Sequence, residues 1–375
     1  MSESAPETAK NTVREAQTER RVTINDLADA LGLTKGTVSR ALNGYTDISE
    51  TTRHRVAAMA ETMGYRASAQ ARAIRTGRAH SIGLVLNVDA GNAHKPFLTD
   101  FIDGISRAVS AENWTLTVAT AISETDEMAT YRRLLDEKKV DGFILPRTRI
   151  VDPRVDLLLR ANMPFVLYGR TGEMEGCASV DVAGELAMRH AVELLSGLGH
   201  RKIGYVGGGA VYNYAPLRLE GFLDGMRRCG LAVDPDLITS GAMTPDEGHA
   251  LAMRMLTRDA PPTAIVAALD QAALGVCAAA QACGLDVGRD LSVIGYDGIP
   301  EGAYARPPLT TFAVDRRAAG SALAGMLLAR IRGTRAEDLR QLLEAQLVLR
   351  GSHGPPAGDS AALAARIEAA TPATA

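Results

Sequence analysis

Apolar residues recur three and four positions apart over residues 22–66, which predicts three short amphipathic helices. Gly32 permits a tight turn after the first helix, and Thr34 can cap the second. Ser49 is a suitable cap for the third helix, which ends at Gly64. One face of the first helix carries four apolar residues: Ile24, Leu27, Ala28 and Leu31. Two short helices joined by a glycine turn predict an all-α helix-turn-helix.

Residues 81–353 follow a different pattern, in which apolar, β-branched runs alternate with amphipathic stretches. The runs predict strands at 82–88, 116–120, 142–145, 165–168, 203–206, 264–268 and 291–295. The stretches predict helices that include 101–112, 128–138, 183–198, 217–228 and 272–283. Such alternation predicts parallel sheets covered on both faces by helices. About 270 residues exceed what one doubly wound sheet needs, so we expect two α/β lobes with a ligand cleft between them.

The two ends of the chain lack this patterning. Residues 1–20 are polar and poor in large apolar groups, so we expect a disordered tail. Residues 354–375 are rich in Ala, Pro, Gly and Ser, which predicts a flexible C-terminal tail. Leu363 and Ile367 stand at helical spacing there, which leaves a short oligomerisation helix as the alternative.

Composition adds the size of the protein and an uneven distribution of charge. The 375 residues, 46% of them hydrophobic, suffice for two or three domains and exclude a mostly disordered chain. Net charge is −3, but residues 21–80 contain nine Lys or Arg and five Asp or Glu, so they carry +4 and leave −7 for the rest. A small basic segment on a larger acidic body is typical of a DNA-binding module joined to another domain.

Other classes of protein are disfavoured by what the sequence lacks. The four cysteines form no CxxC pair and have no histidine cluster nearby, so they predict core residues rather than disulfides or a metal site. No apolar run approaches ~18 residues and no signal region begins the chain, so we expect a cytoplasmic protein without a membrane partner. The glycine run at 207–209 lacks GxGxxG spacing, and no nucleophile–base pair appears, so we predict neither an enzyme nor a cofactor.

The second predicted helix is the candidate DNA-reading element. In a helix-turn-helix this helix enters the major groove with its N-terminal residues nearest the bases. Arg40 can contact a guanine with two hydrogen bonds, and Lys35 can reach a base or a phosphate. Hydroxyl groups suited to phosphates come from Thr34, Thr37 and Ser39. A glycine between two helices also occurs without DNA binding, so this motif alone leaves the function open.

Several segments together resemble the lactose/galactose-repressor (LacI/GalR) family of bacterial transcription regulators. The N-terminal matches are TINDLADALGLTKGTVSRALNG, ISETTRHRVAAMAETMGY and SAQARAIRTGRAHSIGLV. Matches in the body are HRKIGYVGG, LRLEGF, PTAIVAALDQAALG, DLSVIGYDG, RPPLTTFAVDRRAAG and LVLRGS, in the order and spacing of the family. The resemblance implies domains at 21–66 for DNA binding, 67–80 for a hinge helix and linker, and 81–353 for effector binding and dimerisation.

For the DNA-binding residues, the resemblance implies readout by Lys35, Gly36 and Arg40, with Asn43 at the end of the same helix. It also implies a hinge helix that inserts an apolar side chain into the minor groove. Ile74 stands at that position, where leucine is usual. Further hinge contacts are implied for Ser68, Arg72 and Arg75. Ala67 replaces the family's proline, so we expect a hinge that is helical only on DNA.

For the body, the resemblance implies a two-lobed fold like that of periplasmic sugar-binding proteins. The implied effector contacts are Phe97, Asp181, Arg218, Asp270 and Asp297. Asp181 and Asp270 are equally well explained as helix caps. Departures from the family pattern near the cleft are Arg170, Tyr212, Asn213, Tyr214 and Arg316. Tyrosines favour a sugar ring, whereas an extra arginine favours a sugar acid or sugar phosphate, so the charge of the effector stays open.

The predicted function is a ligand-responsive DNA-binding regulator, a repressor that binds a pseudo-palindromic operator. The partners that the resemblance implies are double-stranded operator DNA, a small-molecule effector and a second copy of the chain, as a dimer or a tetramer. The enzyme alternative lacks a reacting group, and a secreted solute-binding protein would need an export signal and no basic head.

Overall fold

The computed structural model describes residues 22–65, 77–88 and 95–370, and for residues 95–97 the backbone alone. The chain divides into two compact units with the boundary between Gly77 and Arg78. We call residues 22–65 the head and residues 78–88 and 95–370 the body, and describe each by itself.

Three short helices make up the head, as the hydrophobic spacing predicts. They are α1 (Ile24–Leu31), α2 (Lys35–Leu42) and α3 (Glu50–Thr62). Thr23 caps α1 in a reciprocal arrangement with Asp26, and Gly32 ends the helix with φ +64°. The helices enclose one small core of Leu27, Ala28, Leu31, Val38, Ala41, Val56 and Ala60. Because each helix is too short to be stable alone, this shared core fixes the angle at which α2 is presented.

The body alternates strands and helices along its whole length. Its first half contains β1 (Ser81–Asn87), α4 (Lys95–Ala111), β2 (Thr115–Ala121), α5 (Glu124–Asp136), β3 (Phe143–Leu145), α6 (Pro153–Arg160), β4 (Phe165–Tyr168), β5 (Ala178–Val182) and α7 (Gly184–Gly197). Next come β6 (Ile203–Val206), α8 (Tyr214–Arg228), β7 (Ile238–Thr239), α9 (Pro245–Leu256), β8 (Ala264–Ala267) and α10 (Asp270–Ala282). The last elements are β9 (Ser292–Asp297), α11 (Pro300–Tyr304), β10 (Thr310–Ala313), α12 (Arg316–Ile331), β11 (Arg340–Leu343), β12 (Gln346–Val348) and α13 (Ser360–Ala370).

Two six-stranded sheets form two lobes, which confirms the predicted α/β architecture. The first sheet has the order β11-β5-β4-β3-β1-β2 and is entirely parallel. The second has the order β12-β10-β9-β8-β6-β7, and β12 alone runs antiparallel to its neighbour β10. The chain crosses between the lobes after β5, after β10 and between β11 and β12. Three chain segments thus connect the lobes, an arrangement that is compatible with hinge movement of two rigid bodies.

Aliphatic clusters fill both lobes, as the low aromatic content predicts. The single tryptophan, Trp114, is buried in the first lobe. Three of the four cysteines are buried and all four are free thiols, in agreement with their prediction as core residues. Among the residues that the structure describes, none of the helices is long and apolar enough to span a bilayer.

Glycines let paired helices touch backbone to backbone. A Cβ added to Gly275 on α10 would lie 1.9 Å from the carbonyl oxygen of Pro245, and one on Gly248 of α9 would lie 2.3 Å from that of Ala272. Gly104 on α4 and Gly320 on α12 meet their opposite backbones in the same way. These contacts are too close for any other residue, so they set the separation between the helices that cover each sheet.

Gly275→Ala is expected to lower the free energy of unfolding of the body by about 1–3 kcal/mol, because the added methyl group must push α9 away. Gly325→Ala is the matched control. Gly325 lies at an exposed position inside α12 with no atom within 4 Å of its added Cβ, so alanine there should stabilise the protein by about 0.5–1 kcal/mol. Urea unfolding followed by circular dichroism measures both changes. Equal effects in the two variants would contradict the close-contact explanation.

The C-terminal segment departs from the expected flexible tail. Residues Ser360–Ala370 form α13, and both Leu363 and Ile367 are buried in the core of the second lobe. Arg366 adds an ion pair to Asp290, with 2.9 Å between Nη1 and Oδ1. The tail prediction is therefore wrong for residues 360–370. Composition showed few apolar residues, but the two present are four positions apart and fit an apolar patch of the same chain, which leaves neither free for an oligomerisation helix.

Candidate functional site

The head exposes the N-terminal half of α2. Thr34, Lys35, Gly36 and Arg40 are exposed, and Thr37 and Ser39 are half-buried. The Thr34 hydroxyl accepts a hydrogen bond from the Thr37 backbone N–H (3.1 Å) and lies 2.9 Å from the Thr37 hydroxyl. Both threonines therefore help to start the helix, and each retains hydroxyl capacity for a phosphate. A Cβ on Gly36 would meet nothing closer than 3.7 Å, so glycine there is not required by packing.

Arg40 is an exposed cation of this surface and contacts two neighbours. Its guanidinium forms an ion pair with Asp47 and lies 5.4 Å from the centre of the Tyr45 ring. The side chains of Arg40 and Asp47 are 53% and 49% exposed, so the pair is worth little in water and can be exchanged for a base.

Asn43 lies at the other end of α2. Its side-chain amide donates a hydrogen bond to the Ser39 carbonyl (2.6 Å) and closes the last turn. The predicted hinge contacts Ser68, Arg72, Ile74 and Arg75 lie outside the described residues.

A cavity of the body lies in the cleft between the lobes, where the strands of both sheets end. About 850 Å³ of space lies within it when the solvent at its open mouth is included. Its wall contains Arg147, Thr148, Tyr168, Gly169, Arg170, Asp181, Val182, Gly184, Glu185, Tyr214, Leu217, Arg218, Leu269, Tyr296, Asp297 and Val314. Of the predicted effector contacts, the structure brings Arg170, Asp181, Tyr214, Arg218 and Asp297 together here.

Arg218 is fixed at one end of the cavity by aromatic rings. Its guanidinium carbon lies 3.7 Å from the centre of the Tyr296 ring and 4.5 Å from that of Tyr214. Nη1 donates a hydrogen bond to the carbonyl oxygen of Ala268, and Nε has no hydrogen-bond partner among the described residues. Because Arg218 lines the cavity, its planar guanidinium is a candidate hydrogen-bond donor for a ligand.

Asp297 is the acceptor at the same end. It is the last residue of β9 and has φ +119°, a conformation that residues other than glycine rarely adopt and that often marks a functional position. Its carbonyl accepts a hydrogen bond from Arg316, which fixes the turn. Burial raises the pKa of the Asp297 carboxyl, and the nearby charges of Arg218, Arg316 and Arg147 oppose that rise. The carboxylate and the Arg218 guanidinium thus face the cavity as an acceptor and a donor.

A second polar group occupies the wall beside β4 and β5. Arg170 forms an ion pair with Asp181 through Nε, while its Nη2 contacts both carboxylate oxygens of Glu185 at 2.8 and 3.0 Å. Burial raises the pKa of Asp181 and Arg170 opposes that rise. Asp181 is therefore a wall residue, and its alternative as a helix cap is not observed, since Ala183 occupies the N-cap of α7. Sequence reasoning missed Glu185, four residues after Asp181.

Asp270 does not reach the cavity, and its prediction as an effector contact is corrected here. The side chain is fully buried. One oxygen accepts a hydrogen bond from the Thr311 hydroxyl (2.6 Å) and the other from the Ile299 backbone N–H (2.9 Å). Burial raises the pKa of this carboxyl to about 6. The carboxylate joins β10 to the turn after β9, so it supports Asp297 from behind.

The other predicted contacts lie beside the cavity. Tyr212 stacks on Tyr214 with 5.8 Å between ring centres, and the backbone N–H of Asn213 donates to the Thr148 carbonyl across the cleft (3.0 Å). Arg316 is buried under the Asp297 turn. Position 97 falls in the first turn of α4, and the Phe97 side chain lies outside the described residues. Arg147 and Tyr296 line the cavity although the sequence analysis did not select them as contacts.

The side chains of the cavity and the exposed surface of the head indicate the functional class of the protein. Guanidinium donors, carboxylate acceptors and tyrosine faces suit a polyhydroxylated ligand that is bound by paired hydrogen bonds and ring stacking. The head presents a helix-turn-helix with exposed cations. One chain with both features defines a ligand-responsive, DNA-binding transcriptional regulator.

Comparisons with known proteins agree with this class. Residues 23–68 match the model for bacterial regulatory proteins of the lacI family, and residues 192–353 match the periplasmic binding protein-like domain. The regulator AglR of Rhizobium meliloti is 34% identical over 340 residues, 89% of this chain and 95% of its own length. The repressor CytR of Escherichia coli K12 is 29% identical over 89% of this chain and 97% of its own.

Solved structures give the same assignment. The lac repressor dimer bound to operator and an anti-inducer matches 89% of this chain and all of its own, with TM-score 0.75 and 26% identity. The regulator CelR in complex with cellobiose matches 88% of this chain and all of its own, with TM-score 0.67 and 28% identity. The chain belongs to the lacI family of bacterial regulatory proteins and is a transcriptional regulator, as the sequence predicts.

Proposed function

We propose that this protein is a repressor that binds a pseudo-palindromic operator as a dimer, and that a sugar or a similar molecule in the body cavity controls this binding. The observation that carries the proposal is that Arg218 of α8 and Asp297 at the end of β9 line the same cavity, as a donor and an acceptor. The vicinal hydroxyl groups of a sugar ring match such a pair.

Relatives support both halves of the proposal. The lac repressor structure contains a dimer on an operator, and CelR is bound to cellobiose. A dimer presents two helix-turn-helix units, and a two-fold axis in the protein requires matching half-sites in the DNA. Such a regulator acts where the chromosome lies, in the bacterial cytoplasm.

In the head, we assign base readout to Lys35, Gly36 and Arg40, and phosphate contacts to the hydroxyls of Thr34, Thr37 and Ser39. Residues 22–65 hold four Lys or Arg and five Asp or Glu, a net charge of −1. Residues 66–78 hold four arginines and no acidic residue, a net +4. Attraction to the DNA backbone must therefore come mainly from the segment with Ser68, Arg72 and Arg75, and Ile74 is its one apolar candidate for minor-groove insertion.

Control by the ligand follows from the joint between the lobes. A ligand that contacts Asp181 of the first lobe and Arg218 of the second binds the closed cleft better than an open one. Closure changes the first lobe, from which the chain leads to the hinge segment. Coupling between effector and operator of about 1–3 kcal/mol, 5–150-fold in affinity, is typical of such a system.

Binding-site selection from random duplex DNA with the full-length protein tests the DNA half of the proposal. We expect an enriched motif with two inverted half-sites and a complex of two protomers per duplex, because α2 reads one half-site in each protomer. The affinities for the selected motif and for unrelated DNA are measured at several salt concentrations, and their ratio gives the specificity. Absence of any enriched motif, or enrichment of a single half-site bound by a monomer, would contradict the proposal.

A further inference from the structure

Charge in the cavity wall is balanced. Three arginines and three carboxylates line it: Arg147, Arg170, Arg218, Asp181, Glu185 and Asp297. A site for a phosphate or a carboxylate ligand normally has an excess of donors with positive charge. The equal numbers of positive and negative side chains in the wall therefore argue against the alternative that the sequence left open, in which Arg170 favours an anionic effector.

Arg170 forms ion pairs with two carboxylates of the cavity wall. Asp181 takes Nε and Glu185 takes Nη2 with two oxygens, so one positive charge is matched against two negative charges. Nη1 makes no hydrogen bond to a described residue. The group of Arg170, Asp181 and Glu185 thus has a net charge of −1 and offers one N–H donor beside two carboxylates. An incoming anion would approach two carboxylates inside a cleft where charges are weakly screened, which is unfavourable.

Of the three residues Arg170, Asp181 and Glu185, only Glu185 belongs to the second lobe. It is the second residue of α7, in the first turn, where the helix dipole stabilises a negative charge. Asp181 and Arg170 belong to strand ends of the first lobe. The ion pair between Arg170 and Glu185 therefore spans the first crossing of the chain between the lobes.

We propose that Glu185 determines the charge class of the effector. Together with Asp181 it outweighs the positive charge of Arg170, so that the cavity accepts uncharged sugars and rejects sugar acids and sugar phosphates. This inference rests on the proposed function, because it assumes a sugar-like effector. It adds to that function a named specificity-determining residue and excludes two of the three ligand classes.

Glu185→Gln tests the role of the charge, since glutamine keeps the size and the hydrogen-bonding oxygen. The full-length protein is titrated with glucose, maltose and cellobiose, and with glucuronate, glucose 6-phosphate and inorganic phosphate. Thermal shift and calorimetry give the affinities. For the wild type we expect binding within the neutral group alone. For Glu185→Gln we expect the ratio of charged to neutral affinity to rise at least tenfold, because Arg170 then faces one carboxylate.

Two variants separate charge from other effects. Glu185→Asp keeps the negative charge and should keep the neutral preference. Glu193→Gln removes the same charge from an exposed position on the same helix, where Glu193 lies 3.7 Å from Arg189, and should change nothing. A wild type that binds glucuronate or glucose 6-phosphate more tightly than glucose, or an unchanged ratio in Glu185→Gln, would overturn the inference alone. A wild type that binds no sugar of either group would overturn the sugar-effector function as well.

Discussion

Arg218→Ala is expected to weaken effector binding by about 2–3 kcal/mol, a factor of roughly 30–150, and to leave operator affinity unchanged. The guanidinium is held between two tyrosine rings and Arg218 lines the cavity, so its loss removes charged hydrogen bonds to the ligand that water cannot replace. Calorimetry with a sugar that binds the wild type, and anisotropy with operator DNA, measure the two quantities separately.

Two variants control for nonspecific damage in that experiment. Arg227→Ala removes an exposed arginine from the same helix, where it pairs with Asp224, and should behave as wild type. Arg218→Lys keeps the charge but not the planar fork, so it should recover less than the full affinity. Normal sugar affinity in Arg218→Ala would show that the ligand does not use this end of the cavity.

Arg40→Ala is expected to lower specific operator affinity by about 1–3 kcal/mol, or roughly 5–150-fold, and to relax the preference at one base pair in each half-site. Asp47→Asn is the matched change on the opposite side of the ion pair. It releases Arg40 and removes a negative charge from the DNA-facing surface, so affinity should stay the same or rise. Effector affinity should be unaltered in both variants. Site selection repeated with Arg40→Ala reads the specificity, and an unchanged consensus would remove Arg40 from the list of base contacts.

The pattern of apolar and polar residues was sufficient to predict most helices and many strands, but not how they pack into the two lobes. Apolar runs predicted seven strands, β1 to β4, β6, β8 and β9, because both faces of a central parallel strand are covered. Five strands escaped prediction. The interior strands β5 (ASVDV) and β10 (TTFA) contain polar residues that interrupt the apolar run, whereas β7, β11 and β12 lie at sheet edges and have only two to four residues. The exchange of α12 and β11 into the first lobe is likewise a property of tertiary contacts, not of local periodicity.

The site shows the same division. Arg218 and Asp297 were found because motifs placed them at strand or helix ends that face the cleft. Asp270 looked equivalent by its position in the sequence, yet its two carboxylate oxygens accept hydrogen bonds from the Thr311 hydroxyl and the Ile299 backbone N–H. Arg170 suggested an anionic ligand because sequence alone shows a charge and not its partners. Glu185 carried a usable signal, an acid in the first turn of a predicted helix, and its pairing with Arg170 became visible only in three dimensions.

The most direct test of ligand-controlled DNA binding is a linkage measurement on the full-length protein. Operator affinity is measured by anisotropy with and without a saturating sugar, and sugar affinity is measured by calorimetry with and without saturating operator. We predict that the two affinities change by the same factor, between about 5 and 150, because coupling between two sites on one molecule is reciprocal. A sugar that binds in the cavity while operator affinity stays constant would contradict the regulatory function assigned to the two units.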